Sequence, residues 1–252
     1  MGYLLEIQNL QKAFTKVNER QKKLPVLTGI NLTVKAGEII CILGNTGSGK
    51  TTLLNIISGI EKADEGDVKI SEGVRVGYVF QSNAVFPWRT VERNLTYALE
   101  LKGIRKSGLR ARAIELCTLI GLTPDRFLNK YPKELSGGEN RRLALGMMLA
   151  YEANLLLLDE PTSQLDYFTA CTIQETILEL QNLQKFSVIL VTHNIEEALF
   201  IGHRVIILKD GIIHSNLLLD FPWPRTKEIR NSNEIQEKKN LIYNIFQSDG
   251  SN

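Results

Sequence analysis

Gly44-Asn45-Thr46-Gly47-Ser48-Gly49-Lys50-Thr51 is the stretch that decides the fold of this chain. The strand-like run Glu38–Leu43 leads directly into it, and the helical stretch Lys50–Ser58, which includes Thr52, leads directly out. Strand, glycine-rich loop and helix in that order form the setting in which the G-x-x-x-x-G-K-[ST] pattern cradles phosphate. The glycines let backbone N–H groups turn inward with no Cβ in the way, and the helix points its positive dipole end at the same anion. Lys50 suits the β- and γ-phosphates of a nucleotide, and the Thr51 hydroxyl suits Mg²⁺; the loop alone leaves kinases, GTPases and helicases open. A plain glycine turn is the other reading of the loop.

Working outward, short apolar strands alternate with helical stretches, the pattern of an α/β domain with a largely parallel sheet. Tyr3–Gln8 and Gly29–Val34 read as early strands, with Lys16–Pro25 between them as a solvated hairpin loop. Val74–Phe80 is a further strand. Strand signals then vanish from about Val91 to Ala150, where Val91–Leu101 and Leu109–Leu119 carry apolar residues at helical spacing and Gly121 closes the second helix. Residues 83–150 therefore read as an inserted helical subdomain within a domain spanning 1–225. Strand Leu155–Leu158, a helix near Phe168–Leu183, strand Ser187–Thr192, helix Ile195–Phe200 and strand Arg204–Lys209 follow, and Asp210–Gly211 turns the chain into Ile212–Leu219. In the polar tail, 226–252, Leu241, Ile242, Ile245 and Phe246 allow one docked amphipathic helix, and Ser248–Asn252 is expected to fray.

The 252 residues are 43% hydrophobic and 23% charged, an ordinary globular composition, and a formal charge of +2 gives no indication of nucleic acid as a partner. Cys41, Cys117 and Cys171 lack metal-ligand spacing and read as small buried apolar residues in a reducing compartment. Met1 to Phe14 has no basic-then-apolar secretory pattern, and no apolar run approaches the roughly 20 residues that span a bilayer. A membrane role would thus be that of a soluble subunit.

Two acids, Asp159 and Glu160, end the apolar strand Leu155–Leu158. Carboxylates there are costly unless a cation joins them, and ligands of open α/β sheets bind at the carboxyl ends of strands. Asp159 suits a Mg²⁺ anchor and Glu160 a general base for water; a pair of capping acids before Pro161 is the alternative. Leu135-Ser136-Gly137-Gly138-Glu139 opens a helix from Glu139 to about Ala150, with Ser136 as N-cap and two glycines exposing backbone donors. This is a second phosphate-binding surface, usable when two copies face each other head to tail. An ordinary capped helix is the competing reading of these five residues taken alone.

Together these stretches resemble the nucleotide-binding domain of ABC ATPases, over roughly Tyr3 to Leu219 and with every motif in family order. The resemblance implies a P-loop NTPase fold of the ABC ATPase type: a mixed-sheet core, an antiparallel β part and an inserted helical subdomain. Gly44–Thr51 matches Walker A, Leu155–Glu160 matches Walker B, and Leu135–Glu139 matches the ABC signature. Gln81 matches the glutamine loop that meets Mg²⁺ and the attacking water. Ser163-Gln164-Leu165-Asp166 resembles the D-loop, His193 the switch histidine at the γ-phosphate, and Phe14 the aromatic that stacks on adenine. Implied partners are integral membrane permease subunits, a second ABC ATPase subunit (identical or homologous) and, indirectly, a solute-binding protein. The implied location is the cytoplasmic face of the cell membrane.

Phe86-Pro87-Trp88-Arg89-Thr90-Val91 with Asn94-Leu95, and the closing Trp223-Pro224-Arg225, resemble the nitrate/sulfonate/taurine and bicarbonate importer group. The aromatic-proline segment lies where such a subdomain would receive the permease; packing within the subdomain is the alternative. Glu139, Arg141, Gly146-Met147 and Gln164 depart from the common pattern, where glutamine, glutamine, Ala-Arg and alanine are usual. These departures touch surfaces that meet a partner, which leaves pairing with a different ATPase chain open. An exporter ATPase, a soluble ABC ATPase and a largely structural nucleotide-binding partner are the rival readings.

Overall fold

A computed structural model describes residues 2–15, 23–82, 85–223 and 225–247. Elements are numbered in chain order, and the chain divides into two units, Met1–Glu72 with Val188–Asn252, and Gly73–Ser187.

In the first unit, β1 (Leu5–Thr15) lies between β2 (Lys23–Val34) and β4 (Glu65–Ile70) in an antiparallel sheet. Leu5 sits opposite both Val34 and Ile70, and register shifts break the pairing after Ile7, where Asn9 takes φ 48°. Such shifts bend and twist a strand. The first two strands are longer than the sequence implies. Lys23–Pro25, read above as loop, pairs with Ala13, Phe14 and Thr15, because the strand partner satisfies backbone groups that a polar sequence alone gives no reason to pair. Residues 16–22 of that expected loop lie outside the described residues.

Strands β3 (Ile39–Leu43), β7 (Ser187–Thr192) and β8 (Arg204–Lys209) run parallel, with β3 in the middle. Every residue of β3 and β7 is buried, the continuous apolar pattern of strands covered on both faces. β9 (Ile212–Leu218) returns antiparallel to β8 through Asp210 and Gly211, both at positive φ as a two-residue hairpin requires. Helices α1 (Lys50–Ile57) and α7 (Ile195–Ile201) follow β3 and β7. The tail forms α8 (Asn233–Gln247), docked through Ile235 and Ile242. Leu241, expected to dock, is instead exposed, and Ser248–Asn252 lies outside the described residues.

The second unit pairs β5 (Val76–Val79) in parallel with β6 (Leu155–Asp159) and carries α2 (Val91–Leu101), α3 (Lys106–Leu119), α4 (Pro124–Phe127), α5 (Gly137–Tyr151) and α6 (Tyr167–Gln184). Thr90 caps α2, and Val91, Leu95 and Leu99 form its buried stripe at helical spacing. Gly146 on α5 explains one departure noted above: a Cβ there would meet Leu95 Cδ2 at 2.7 Å and Ile120 Cδ1 at 3.0 Å. Its absence lets the helices close up. Cys41 and Cys117 are buried as expected, whereas Cys171 on α6 is part-exposed. Among the described residues no helix is long and apolar enough to cross a membrane.

Candidate functional site

In the first unit the phosphate loop follows from β3, whose buried strand ends at Leu43. Gly49 takes φ 98° as the N-cap of α1, and a Cβ on it would lie 2.7 Å from Leu27 and 2.8 Å from the Val26 carbonyl oxygen. Both the turn and the packing demand glycine. Lys50 is buried, and its Nζ donates to the Gly44 oxygen at 2.8 Å and the Asn45 oxygen at 2.9 Å. The Ser48 Oγ is buried with no hydrogen-bond partner among the described residues. Asn45, Thr46, Gly47 and Thr51 are exposed, and Thr52 is half-buried. A buried ammonium folded onto its own loop, an orphaned hydroxyl and a helix N-terminus together fit an incoming phosphate chain.

His193 is exposed directly after β7. The turn that carries it is fixed on its far side: Asn194 N–H donates to Thr192 Oγ1 at 3.0 Å, and Asn194 Oδ1 accepts from Glu197 N–H at 3.2 Å to cap α7. Phe14, 41% exposed near the end of β1, lies 5.1 Å from Lys12 Nζ, which is itself held by Glu61 and Asp64.

In the second unit the parallel register sets Val79 opposite Leu158, so Gln81 and Glu160, each two residues further on, leave the strand pair side by side. Gln81 Nε2 donates to Glu160 Oε2 at 3.1 Å. Glu160 takes φ 46°, a left-handed conformation that costs a residue with a Cβ roughly 1–2 kcal/mol. Such strain gathers where a side chain must be aimed. Asp159 is buried and accepts from Tyr78 Oη at 3.3 Å. Burial, and then the Asp159 charge, push the Tyr78 hydroxyl well above its ordinary pKa, so it stays a donor.

Ser136 caps α5 as expected, accepting from Glu139 N–H at 3.3 Å, while Glu139 Oε2 accepts from Ser136 N–H at 2.8 Å. The helix begins at Gly137, two residues ahead of the expected start. Burial pushes the Glu139 carboxyl up, but the Ser136 N–H and side chain, with Arg142 and Arg126 nearby, carry it below the usual carboxylate range. Glutamic acid thus completes a reciprocal capping box. In the D-loop-like turn, Ser163 Oγ donates to the Glu160 oxygen at 2.9 Å, Gln164 takes φ 64°, and Asp166 caps α6 by accepting from Thr169 N–H at 3.0 Å.

Three contributors were not legible as such in the sequence. Tyr78 gave no signal beyond being a strand aromatic. Arg141, noted as a departure, is buried and donates from Nη1 to the Phe80 oxygen at 2.7 Å and from Nη2 to the Gln81 oxygen at 2.9 Å. Asn94 is buried, accepts from Phe86 N–H at 2.8 Å, and donates to the carbonyls of Phe86, Arg89 and Thr90. It shapes the segment in which Phe86 packs edge-on against Tyr97 at 4.6 Å while Trp88 remains 73% exposed. Packing within the subdomain accounts for Phe86 and not for Trp88.

Residues 27–163 match the family described as ABC transporter. The aliphatic sulfonates import ATP-binding protein SsuB of Bacillus cereus is 35% identical over 243 residues, covering 93% of each chain. Its namesake in Bacillus subtilis is 34% identical over 90% of this chain and 89% of its own. An uncharacterized ABC transporter ATP-binding protein of Methanocaldococcus jannaschii is 36% identical over 99% of this chain and 93% of its own. Among solved structures, the dimeric post-hydrolysis state of the ATP-binding cassette MJ0796 bound to ADP and Pi superposes with TM-score 0.76 and 31% identity, covering 86% of this chain and 100% of that one. The cbiO1 subunit from Clostridium perfringens gives TM-score 0.76 at 25% identity, covering 96% of each chain. The chain therefore belongs to the ABC transporter family, as an ATP-binding, ATP-hydrolysing cassette of a transporter.

Proposed function

We propose that this cassette is the motor of an importer for small anions of the nitrate, sulfonate, taurine or bicarbonate type. It would sit on integral membrane permease subunits at the cytoplasmic face of the cell membrane, fed indirectly by a solute-binding protein. The observation that carries the reading is the Gln81–Glu160 pair beside the buried Asp159, a hydrolytic constellation in a chain whose relatives are named for sulfonate import. Lys50, with Thr51, Thr52 and the loop Gly44–Gly49, binds the phosphates of ATP, and Phe14 stacks on the base. Thr51, Gln81 and Asp159 offer the hard oxygen donors that Mg²⁺ prefers, and the ion supplies charge neutralisation when bound. Glu160 takes the proton of the attacking water, Gln81 orients that water, and His193 meets the γ-phosphate. Ser136, Gly137, Gly138 and Glu139 face the nucleotide of a second ABC ATPase subunit in a head-to-tail dimer, with 83–150 as the helical subdomain that moves.

A groove of about 810 Å³ in the second unit, lined by Trp88, Arg89, Arg93, Ile104 and Tyr131 among others, supports permease docking there. The testing experiment compares wild type with Glu160→Gln in Mg-dependent ATPase assays and in size-exclusion chromatography with Mg·ATP. Loss of turnover together with an ATP-dependent dimer of the variant is the expected result. Full turnover in Glu160→Gln would refute the assignment. Uptake of labelled taurine, alkanesulfonate, nitrate and bicarbonate by cells lacking and regaining the subunit tests the anion class. Glu139 and Gln164 favour a second pairing, with a different ATPase chain, which chromatography of wild type and variant as monomers would select.

A further inference from the structure

We infer that Arg141 is a positioning residue for hydrolysis: it ties the helix that opens with the signature motif to the backbone of Gln81, and so aligns Gln81 with Glu160. The inference rests on the catalytic reading of the Gln81–Glu160 pair and goes beyond it by assigning the group that holds the pair in register.

Arg141 is 4% exposed, and a guanidinium out of water is retained only where its donors find acceptors in fixed directions. Two of those directions are occupied by consecutive carbonyls, Phe80 at 2.7 Å and Gln81 at 2.9 Å, where the chain leaves β5. A planar fork of five donors can hold two successive carbonyl groups at once. A glutamine, the residue common at this place, has a single neutral NH₂ on a shorter stem. From Gln81 the connection continues outward through Nε2 to Glu160 Oε2 at 3.1 Å. On the other side, Arg141 lies five residues after Ser136, within the first turns of α5, the helix whose capping box Ser136 and Glu139 close.

A rigid helix therefore runs from a surface suited to a second subunit's nucleotide to a clamp on the residue beside the general base. Any displacement of the start of α5 reaches Gln81 through Arg141. Phe80, the other residue held, stacks on Tyr78 at 4.0 Å, and Tyr78 donates to Asp159, so the same clamp bears on both acids of the site.

The test uses the full chain carrying Arg141→Met, Arg141→Lys or Arg141→Gln, beside Gln81→Ala and Glu160→Gln. Hydrogen–deuterium exchange of peptides covering 79–82, without nucleotide, reads the local opening that the clamp opposes. Exchange there should rise about tenfold or more in Arg141→Met, given the worth of hydrogen bonds to a charged group, and less in Arg141→Lys. In ATPase assays Arg141→Met should lower kcat about tenfold or more with KM for ATP within about twofold of wild type, and Arg141→Lys should restore part of kcat. Added to Gln81→Ala, Arg141→Met should lower kcat by less than it does in wild type, because the Gln81 arm of the clamp is already lost. Wild-type kcat in Arg141→Met, while Gln81→Ala and Glu160→Gln lose turnover, would overturn the inference and leave the catalytic reading standing. Retained turnover in Gln81→Ala and Glu160→Gln would overturn both. Should Arg141→Met fail to fold, Arg141→Gln carries the same comparison, and equal losses in kcat and nucleotide affinity there would mark Arg141 as structural only.

Discussion

Gln81 Nε2 lies 3.1 Å from Glu160 Oε2, and the two residues leave neighbouring parallel strands at the same end. The amide donates to a carboxylate that is already aimed by a left-handed backbone at φ 46°. That hydrogen bond turns the Glu160 carboxyl group toward its partner, in place to accept a proton. Removing the charge while keeping the shape should therefore abolish chemistry and spare binding. Glu160→Gln is expected to lower kcat by about 10²–10⁴-fold, the usual range for a general base, with ATP affinity retained. Steady-state ATPase assays beside nucleotide titration by calorimetry check both halves of the statement.

Lys50 concerns binding in place of chemistry. Its ammonium rests on the Gly44 and Asn45 carbonyls at 2.8 and 2.9 Å, and phosphate oxygens would take over those donors with the gain of opposite charge. Lys50→Ala should weaken ATP binding by about 10- to 100-fold, from the range of charge-assisted hydrogen bonds, and abolish turnover. Fluorescent-nucleotide titration measures the first effect. Unchanged affinity would remove Lys50 from the phosphate site.

These two sites were legible in the sequence for different reasons. The phosphate loop is local: glycine spacing, the strand before it and the helix after it are all written within about twenty consecutive residues, so Gly44–Thr51 needed no tertiary information. The helix Val91–Leu101 and strands Ser187–Thr192 and Arg204–Lys209 were read with their observed bounds, since apolar periodicity and flanking turns agree there. β4, Glu65–Ile70, gives no strand signal in the sequence. Three of its first four residues are Glu65, Gly66 and Asp67, and it has no buried residue; its pairing with β1 makes it a strand. The extension of β2 back to Lys23 has the same cause. Arg141 was visible as an unusual residue, but its function depends on carbonyls some sixty positions away, at Phe80 and Gln81, and periodicity carries no record of that approach.

The capping box makes a prediction about acid. Glu139 accepts from Ser136 N–H at 2.8 Å, and its carboxyl lies below the usual value of 4.5 in the folded chain. A folded-state pKa lowered in this way stabilises the protein above the unfolded value, and the contribution is lost as pH falls through the folded one. Thermal melts of wild type and Glu139→Gln should therefore differ at neutral pH and converge below about pH 4. Ser136→Ala removes the reciprocal acceptor and should cost about 1 kcal/mol at neutral pH, measured by urea unfolding. If the wild-type excess stability over Glu139→Gln persists at the acid end, the carboxylate is not its source.

At the root of β3, away from the phosphate loop, a histidine holds the strand. His203 Nδ1 accepts from Ile39 N–H at 3.0 Å, and the ring lies against Trp223, tilted by 31° with centroids 3.9 Å apart. Accepting that bond requires a neutral imidazole. Burial, and after it the Arg225 guanidinium, hold the His203 pKa below its ordinary 6.5, with Glu38 opposing. Arg225 is fixed there by donating to the Gly202 oxygen at 2.9 Å, and burial lowers its own pKa to about 10. Below 6.5 the unfolded chain binds a proton that the folded chain refuses. Stability is thus full above about pH 6.5 and declines as pH falls toward the folded-state value. Urea midpoints measured from about pH 8 to 5 should fall across this window in wild type and flatten in His203→Gln, which cannot titrate. Because Ile39 begins the strand that ends at the phosphate loop, ATP affinity at the acid end of the window should weaken in wild type more than in His203→Gln. Parallel pH profiles of stability and nucleotide binding in the two proteins decide whether the imidazole anchors the strand.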